Sequence, residues 1–168
     1  KYKTGGEIHS SAAVIDGRVL FGSYDNCLHC LDAASGKMIW KHETQGYVHC
    51  APAVVDGIAF IAGCDERLRG IEIKTGEQKI DIPLGSYLIA SPTVVGDHIY
   101  VGTFGNEVAA IDGKKKEVAW RYSPGNGEFP FHSSTAVTDS LVIVGGRDKL
   151  VHAINRADGK KAWTFTTR

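Results

Sequence analysis

Residues 30 to 40 read CLDAASGKMIW, and the pattern they set returns three more times along the chain. Cys30-x-Asp32-x-x-x-Gly36-x-x-x-Trp40 has the same spacing as Ala153-x-Asn155-x-x-x-Gly159-x-x-x-Trp163. A third copy, Ala110-x-Asp112 to Trp120, keeps both ends but places Lys116 where the glycine belongs. A fourth, Gly70-x-Glu72-x-x-x-Gly76, keeps the glycine and has Ile80 in place of the tryptophan. Four copies of one pattern mean four structural units. Before the glycine, Leu28–Leu31 and Val151–Ile154 alternate or run apolar as strands do. A short polar turn follows (Ala33-Ala34-Ser35-Gly36, Arg156-Ala157-Asp158-Gly159), whose glycine takes φ > 0 without steric cost. Asp32, Glu72, Asp112 and Asn155 precede the turn and are placed to accept hydrogen bonds from its amides. The unit is a β-hairpin with a large anchor on its second strand.

The other half of each unit falls into the same register. His9-Ser10-Ser11-Ala12-Ala13-Val14, His49-Cys50-Ala51-Pro52-Ala53-Val54, Ile89-Ala90-Ser91-Pro92-Thr93-Val94 and His132-Ser133-Ser134-Thr135-Ala136-Val137 begin 40, 40 and 43 residues apart. Each leads to a turn (Asp16-Gly17, Asp56-Gly57, Gly96-Asp97, Asp139-Ser140) and then a short apolar run from Val19, Ile58, Ile99 or Leu141. Runs this short and apolar imply strands covered on both faces. A four-stranded antiparallel sheet repeated every ~40 residues and buried on both sides is a propeller blade. No sustained 3.6-residue period is present, which excludes a helical solenoid. The expected fold is an all-β propeller module over residues 1–168: blade 1 at 8–47, blade 2 at 48–87, blade 3 at 88–130 and blade 4 at 131–168. Residues 1–7 align with the end of a strand D, since Lys1-Tyr2-Lys3-Thr4 matches Lys41-His42-Glu43-Thr44.

Composition bounds the function. Lysine plus arginine equals aspartate plus glutamate at 19 each, so no strong field favours nucleic acid or an acidic membrane surface. No apolar run approaches the roughly 18 residues of a spanning helix, and no signal peptide precedes Lys1. The 20 glycines punctuate turns and form no low-complexity tract.

The blade SSAAVIDGRVLFGSYDNCLHCLDAASGKMIW resembles the pyrroloquinoline-quinone (PQQ)-type β-propeller repeat. The shared features are a serine/proline entry, an Asp-Gly turn and the eleven-residue tryptophan-docking motif ending in Gly-x-x-x-Trp. The resemblance runs from Ile8 to Arg168 and implies fold more than activity. Such repeats build quinoprotein dehydrogenases, outer-membrane assembly lipoproteins of the BamB type and extracellular domains of bacterial kinases. It assigns docking roles to Trp40, Trp120 and Trp163 as buried anchors, with Gly36, Gly76 and Gly159 as their turn glycines. Rings of this family have seven or eight blades, so four blades are expected to be half of an eight-bladed ring. The uncovered faces of blades 1 and 4 imply self-association into a closed ring.

Candidate binding residues gather at one end of the blades. In this family the first strand is innermost and begins at a loop-rich face, so His9, His49 and His132 are expected to rim one mouth of the channel. They are candidate contacts for a metal, an anion or a partner side chain, pH-sensitive near pH 6–7, or else imidazoles hydrogen-bonded to a neighbouring blade. Asp25, Asp65 and Asp148 recur in the loops at that mouth, as cation ligands or as Asx turns. Phe129 sits in a loop (residues 123–130) three residues longer than its equivalents. Cys27 and Cys30 lie three apart on one strand and point to opposite faces, which opposes a shared metal. Register from the Asp56-Gly57 turn pairs Cys50 with Gly63, which opposes a Cys50–Cys64 disulfide. Arg67 and Arg69 read as a solvated patch, and His29 and His152 as packing residues.

No catalytic residues and no metal site emerge: no Ser/His/Asp array, phosphate-binding glycine loop or His-Glu-x-x-His motif is present. The Cys-Cys dipeptide of quinoprotein alcohol dehydrogenases is missing, so no cofactor is expected, PQQ with calcium being the alternative. The expected function is a non-catalytic interaction scaffold with protein partners, part of a larger protein, with a periplasmic or other extracytoplasmic location favoured by the resemblance. The alternatives are a quinoprotein oxidoreductase fragment and a small-molecule or metal sensor using the histidine mouth.

Overall fold

The computed structural model describes residues 1–125 and 129–167. Among these, sixteen strands form four antiparallel four-stranded sheets. The first contains β1 (Ala13–Ile15), β2 (Arg18–Gly22), β3 (Cys27–Asp32) and β4 (Met38–Glu43) in sequence order. The second contains β5 (Ala53–Val55), β6 (Ile58–Ala62), β7 (Arg67–Glu72) and β8 (Gln78–Pro83). The third holds β9 (Thr93–Val95), β10 (His98–Gly102), β11 (Val108–Asp112) and β12 (Glu117–Tyr122). The fourth holds β13 (Ala136–Val137), β14 (Leu141–Gly145), β15 (Leu150–Asn155) and β16 (Lys161–Thr166). The first strands of successive sheets adjoin, β1 with β5, β5 with β9 and β9 with β13, so the sheets radiate as propeller blades. The cores lie between blades. Leu20, Leu28 and Cys30 of blade 1 pack with Ala59, Ile61 and Ile71 of blade 2, and Tyr100 and Val108 of blade 3 with Val142 and Ile154 of blade 4.

The quoted stretch folds as a hairpin closed by its own polar atoms. Gly36 N donates to the Asp32 carbonyl at 2.8 Å, and the Asp32 carboxylate accepts from Ser35 N at 2.7 Å. In every blade the pairing of third and fourth strands slips one residue after the small-residue column: Cys30/Leu31, Gly70/Ile71, Ala110/Ile111 and Ala153/Ile154. This bulge leaves Trp40, Ile80, Trp120 and Trp163 directly opposite those small residues and re-aims them.

The anchors then cross to the following blade. The Trp40 indole lies over Gly76, and its Nε1–H donates to the Ile73 carbonyl at 3.0 Å. Trp120 does the same on Gly159, donating to the Arg156 carbonyl at 3.0 Å. A Cβ on Gly76 or Gly159 would fall 2.8 Å from the ring, so a side chain there clashes. The two irregular copies explain each other. Ile80, in blade 2, replaces the tryptophan that would have faced Lys116 of blade 3, whose φ of 59° keeps the left-handed turn without a glycine. Lys116 Nζ instead donates across the junction to the Lys79 carbonyl at 3.1 Å.

Three expectations need correction. Trp40 and Trp120 are half-buried, not fully buried. Trp163 is 45% exposed and every residue of β16 is exposed, because no further sheet stands against it among the described residues. Gly36 has open space where a Cβ would lie, so no indole covers it. Of the long loop, residues 126–128 lie outside the described residues, as does Arg168.

Removing the indole in Trp40→Ala should cost ~3–5 kcal/mol, measured by urea unfolding. Gly76→Ala should cost about 1–3 kcal/mol more than Gly57→Ala. Both glycines have φ near +75°, but only Gly76 has a ring above it. Equal losses would show that the junction bears no load.

Candidate functional site

The blade loops of one face carry two layers of polar residues, and the structure separates them. The inner layer is Asp25, Asp65 and Asp148. Asp25 Oδ1 accepts from Cys27 N and Asp148 Oδ1 from Leu150 N, the Asx geometry of the loop. Each carboxylate also reaches a residue on its own third strand. His29 Nε2 is 3.1 Å from both Asp25 oxygens, and His152 Nε2 is 3.2 and 3.0 Å from those of Asp148. On the far side of each ring, a tyrosine from the preceding segment meets Nδ1: Tyr2 at 2.9 Å on His29, Tyr122 at 3.0 Å on His152. With a carboxylate accepting at Nε2, the imidazole carries its proton there and the phenol donates to Nδ1. Asp25 and Asp65 further accept from Gly5 N at 2.9 Å and Gln45 N at 3.0 Å, in the segments that enter their blades.

Blade 2 builds the same clamp from an ion pair. Arg69, expected on a solvated patch, is buried and pairs with Asp65 at 2.7 Å. Its register position is that of His29 and His152, which aims it into the blade. Arg67 stays near the surface and pairs with Asp81 at 2.6 Å. Burial works to raise the Asp25 pKa, but the hydrogen bonds from His29 and Gly5 outweigh it and hold the carboxyl below the usual carboxylate range.

Asp25, Cys27 and His29 bring their ligand atoms within 4.8 Å of one another. Both nitrogens of His29 are already engaged, and burial followed by the Asp25 charge pushes the Cys27 thiol up, keeping it protonated. Blade 4 repeats the arrangement with Leu150 in place of the cysteine. The cluster is therefore the blade clamp with a sulfur beside it. All four thiols are free, and that of Cys50, hydrogen-bonded to the Ala62 carbonyl, is pushed up to about 12 by burial.

The outer layer faces solvent. His9 and His49 stack at 5.7 Å, His9 lies 4.5 Å from the Tyr24 ring, and the Tyr24 hydroxyl is 2.8 Å from His49 Nδ1. His9 Nε2 also pairs with Glu7 at 3.0 Å. Tyr24 stacks on Tyr47 at 4.5 Å, and Phe104 on His132 at 5.5 Å. Between these groups lies an open groove of about 480 Å³ lined by Tyr47, Cys64, Tyr87, Ile89 and Phe104, with Asn26 and Gln45 at its edge. Burial and then the neighbouring His9 lower the His49 pKa; burial, then Arg147 and His49, lower that of His132. Both rings are neutral at pH 7, so the pH sensitivity expected near 6–7 moves to lower pH.

The histidines thus sit among aromatic rings, while the three aspartates point into the blades. The tyrosines and Phe104 were missed in the sequence, although the register holds the signal. Tyr47 and Tyr87 both stand two residues before the histidine column, and Tyr24 and Phe104 share one loop position.

A family profile described as outer membrane protein assembly factor BamB matches residues 2–79 and 81–168. The chain belongs to this family. Its sheets and their neighbours make it a PQQ-like repeat propeller. BamB from Moraxella catarrhalis superposes with a TM-score of 0.83 at 14% identity, over 97% of this chain and 54% of that one. The quinohemoprotein alcohol dehydrogenase ADHIIG from Pseudomonas putida HK5 gives 0.85 at 19% identity, over 99% of this chain and 35% of that one. The computationally designed Ika4 protein gives 0.79 at 17% identity, over 91% and 93%. This BamB-family chain therefore spans about half of the Moraxella structure and about a third of the dehydrogenase, and the likeness at these identities is one of fold. No curated protein sequence matches it.

Acid should unlock the blade 1 clamp. Because the folded Asp25 carboxyl sits below its unfolded value of ~3.9, its contribution is complete above that pH and lost as the pH falls through the folded value. The stability gap between wild type and Asp25→Asn should shrink from pH 5 to below pH 3 in urea melts. A gap that stays constant would mean that the ionised clamp contributes nothing. At neutral pH, Arg69→Met strands a buried carboxylate and should cost ~3–5 kcal/mol.

Proposed function

We propose that this chain is a non-catalytic interaction module that binds a protein partner through the aromatic groove and histidine rim of its loop face. One observation carries the reading: Tyr47, Tyr87, Phe104 and Phe129 are 42–53% exposed, while the rest of the loop chemistry is consumed in holding blades together. Large rings left in water on one face are what interfaces are made of, supplying area at low entropic cost and anchoring in pockets. The neutral His49 and His132 imidazoles and the Asn26 and Gln45 amides surround them with uncharged hydrogen-bonding groups. Membership in a family described as an outer membrane assembly factor supports protein binding over catalysis, and supports a site of action outside the cytoplasm.

A photo-crosslinking residue at Tyr87 should give a discrete protein adduct in the native extract, and one at Lys114, in the exposed turn between β11 and β12, should not. Tyr47→Ala with Phe104→Ala should abolish that adduct while leaving the urea midpoint within about 0.5 kcal/mol. The triple change of His9, His49 and His132 to Gln tests the rim separately, through adduct yield at constant fold. The same adducts from both positions, or an unchanged yield in the aromatic double variant, would remove the groove from the binding surface. No helix among the described residues is long and apolar enough to cross a membrane.

A further inference from the structure

Trp40 packs on the core between blades 1 and 2 that holds Leu20, Ala59 and Ile73, with Ile15 and Val54 beside it. Forty residues further on, these positions are Ile80, Phe60, Ile99, Gly113, Val55 and Val94, and all six line a pocket of about 160 Å³ between blades 2 and 3. Two replacements at once open this space. Ile80 removes the indole that Trp40 and Trp120 supply to the other two junctions, and Gly113 removes the side chain of Ile73. Phe60, larger than its counterpart Leu20, recovers part of the volume. Lys116 crosses the junction to the Lys79 carbonyl and does not line the pocket. The polar half of the docking site is kept. At the other junctions the indole N–H donates to the carbonyl of Ile73 or Arg156, whose counterpart is Gly113. Gly113 N donates to the Asp97 carbonyl at 2.8 Å, as Ile73 N does to Gly57 at 2.9 Å and Arg156 N to Ser140 at 2.8 Å, so the backbone takes one course in all three.

We infer that this pocket is a binding site for a small, uncharged, planar heteroaromatic molecule of the size of indole with a ring N–H. The ring takes the place that the indole side chain holds in the neighbouring junctions, against Phe60, Ile80 and Ile99, and its N–H donates to the Gly113 carbonyl. Apolar sites of ~150 Å³ admit a benzene-sized ring, and one well-placed polar group then fixes its orientation. The pocket opens between the turns at Asp56, Asp97 and Lys114, at the end of the blades opposite the aromatic groove. Lys114 pairs with Asp97 at 2.7 Å at this mouth, so a negative charge on the ring would meet two carboxylates against one ammonium already engaged. The lining comes wholly from blades 2 and 3 and involves no outer face of blades 1 and 4. The site is separate from the loop-face groove and does not rest on protein binding there.

An amide-resolved NMR titration of the 168-residue chain with indole, up to about 5 mM, reads the site. Saturable shifts should centre on Ile80, Ile99 and Gly113, with a Kd of about 1 mM or below, as ring-sized fragments reach. Ile80→Trp together with Lys116→Gly rebuilds the junction of the other blades. This variant should keep a dispersed spectrum, raise the urea midpoint and weaken indole binding by about tenfold or more. Should it lose its fold, Ile80→Phe fills the same space with a smaller ring and should weaken binding in the same direction. Benzofuran, the same shape without the N–H, should bind more weakly than indole. A wild type without saturable shifts overturns the inference, and so do shifts confined to Tyr47, Tyr87 and Phe104. Unchanged indole affinity in the folded filled variant, or benzofuran binding as tightly as indole, overturns it as well.

Discussion

Everything in this molecule leans on a flat ring pressed against a backbone that has no Cβ. A sheet of four short strands cannot hide both its faces alone, so each blade depends on the next one. Between blades an indole lies over Gly76 or Gly159, where 2.8 Å to a hypothetical Cβ leaves no room for a side chain. The indole N–H is satisfied by a carbonyl of the same turn, so burying the ring leaves no polar atom stranded. The constraint is pairwise, and blades 2 and 3 show it by relaxing both partners together: Ile80 arrives where Lys116 has replaced the glycine.

A second tier of junction contacts explains most of the ionisable residues. The same position on the third strand is His29, Arg69, Ala109 and His152 in the four blades, and the loop position facing it is Asp25, Asp65, Gly105 and Asp148. Acid and base are present together in three blades and absent together in blade 3, as expected if each exists to neutralise and hydrogen-bond the other in a buried place. Tyr2, Tyr122, Gly5 and Gln45 draw the preceding segment into the clamp. Histidine beside aspartate is here an architectural pair, which is why so much polar chemistry yields no catalytic constellation.

What the junctions leave over is the loop face. Glu7, Tyr47, Tyr87 and Pro130 occupy one backbone position, each giving its carbonyl to the amide of Tyr24, Cys64, Phe104 or Arg147 in the neighbouring loop. The backbone there is fixed by that hydrogen bond, so the side chains are free to vary without disturbing the blade. In this chain they vary toward aromatic rings around the second and third blades, and the histidine column follows beside them.

The sequence by itself determined the fold, because the propeller unit is local. Strand, Asp-Gly turn, strand, polar turn and anchor lie within ~40 consecutive residues, and hairpin register follows from turn length and alternation. Reading four copies in parallel therefore located the strands, the small-residue column opposite the anchors and the opposed faces of Cys27 and Cys30. Tertiary structure alone decided what each residue meets on the neighbouring blade. That contact joins positions some 30 residues apart, as in Trp40 with Ile73 or Tyr122 with His152, and no period in the chain encodes which side chain will be in reach. For this reason Arg69 read as solvated and is buried, Trp163 read as buried and is exposed, and the three aspartates parted from the three histidines. The aromatic groove is a product of the same step, since Tyr47, Tyr87 and Phe104 become one surface only when adjacent blades are stacked.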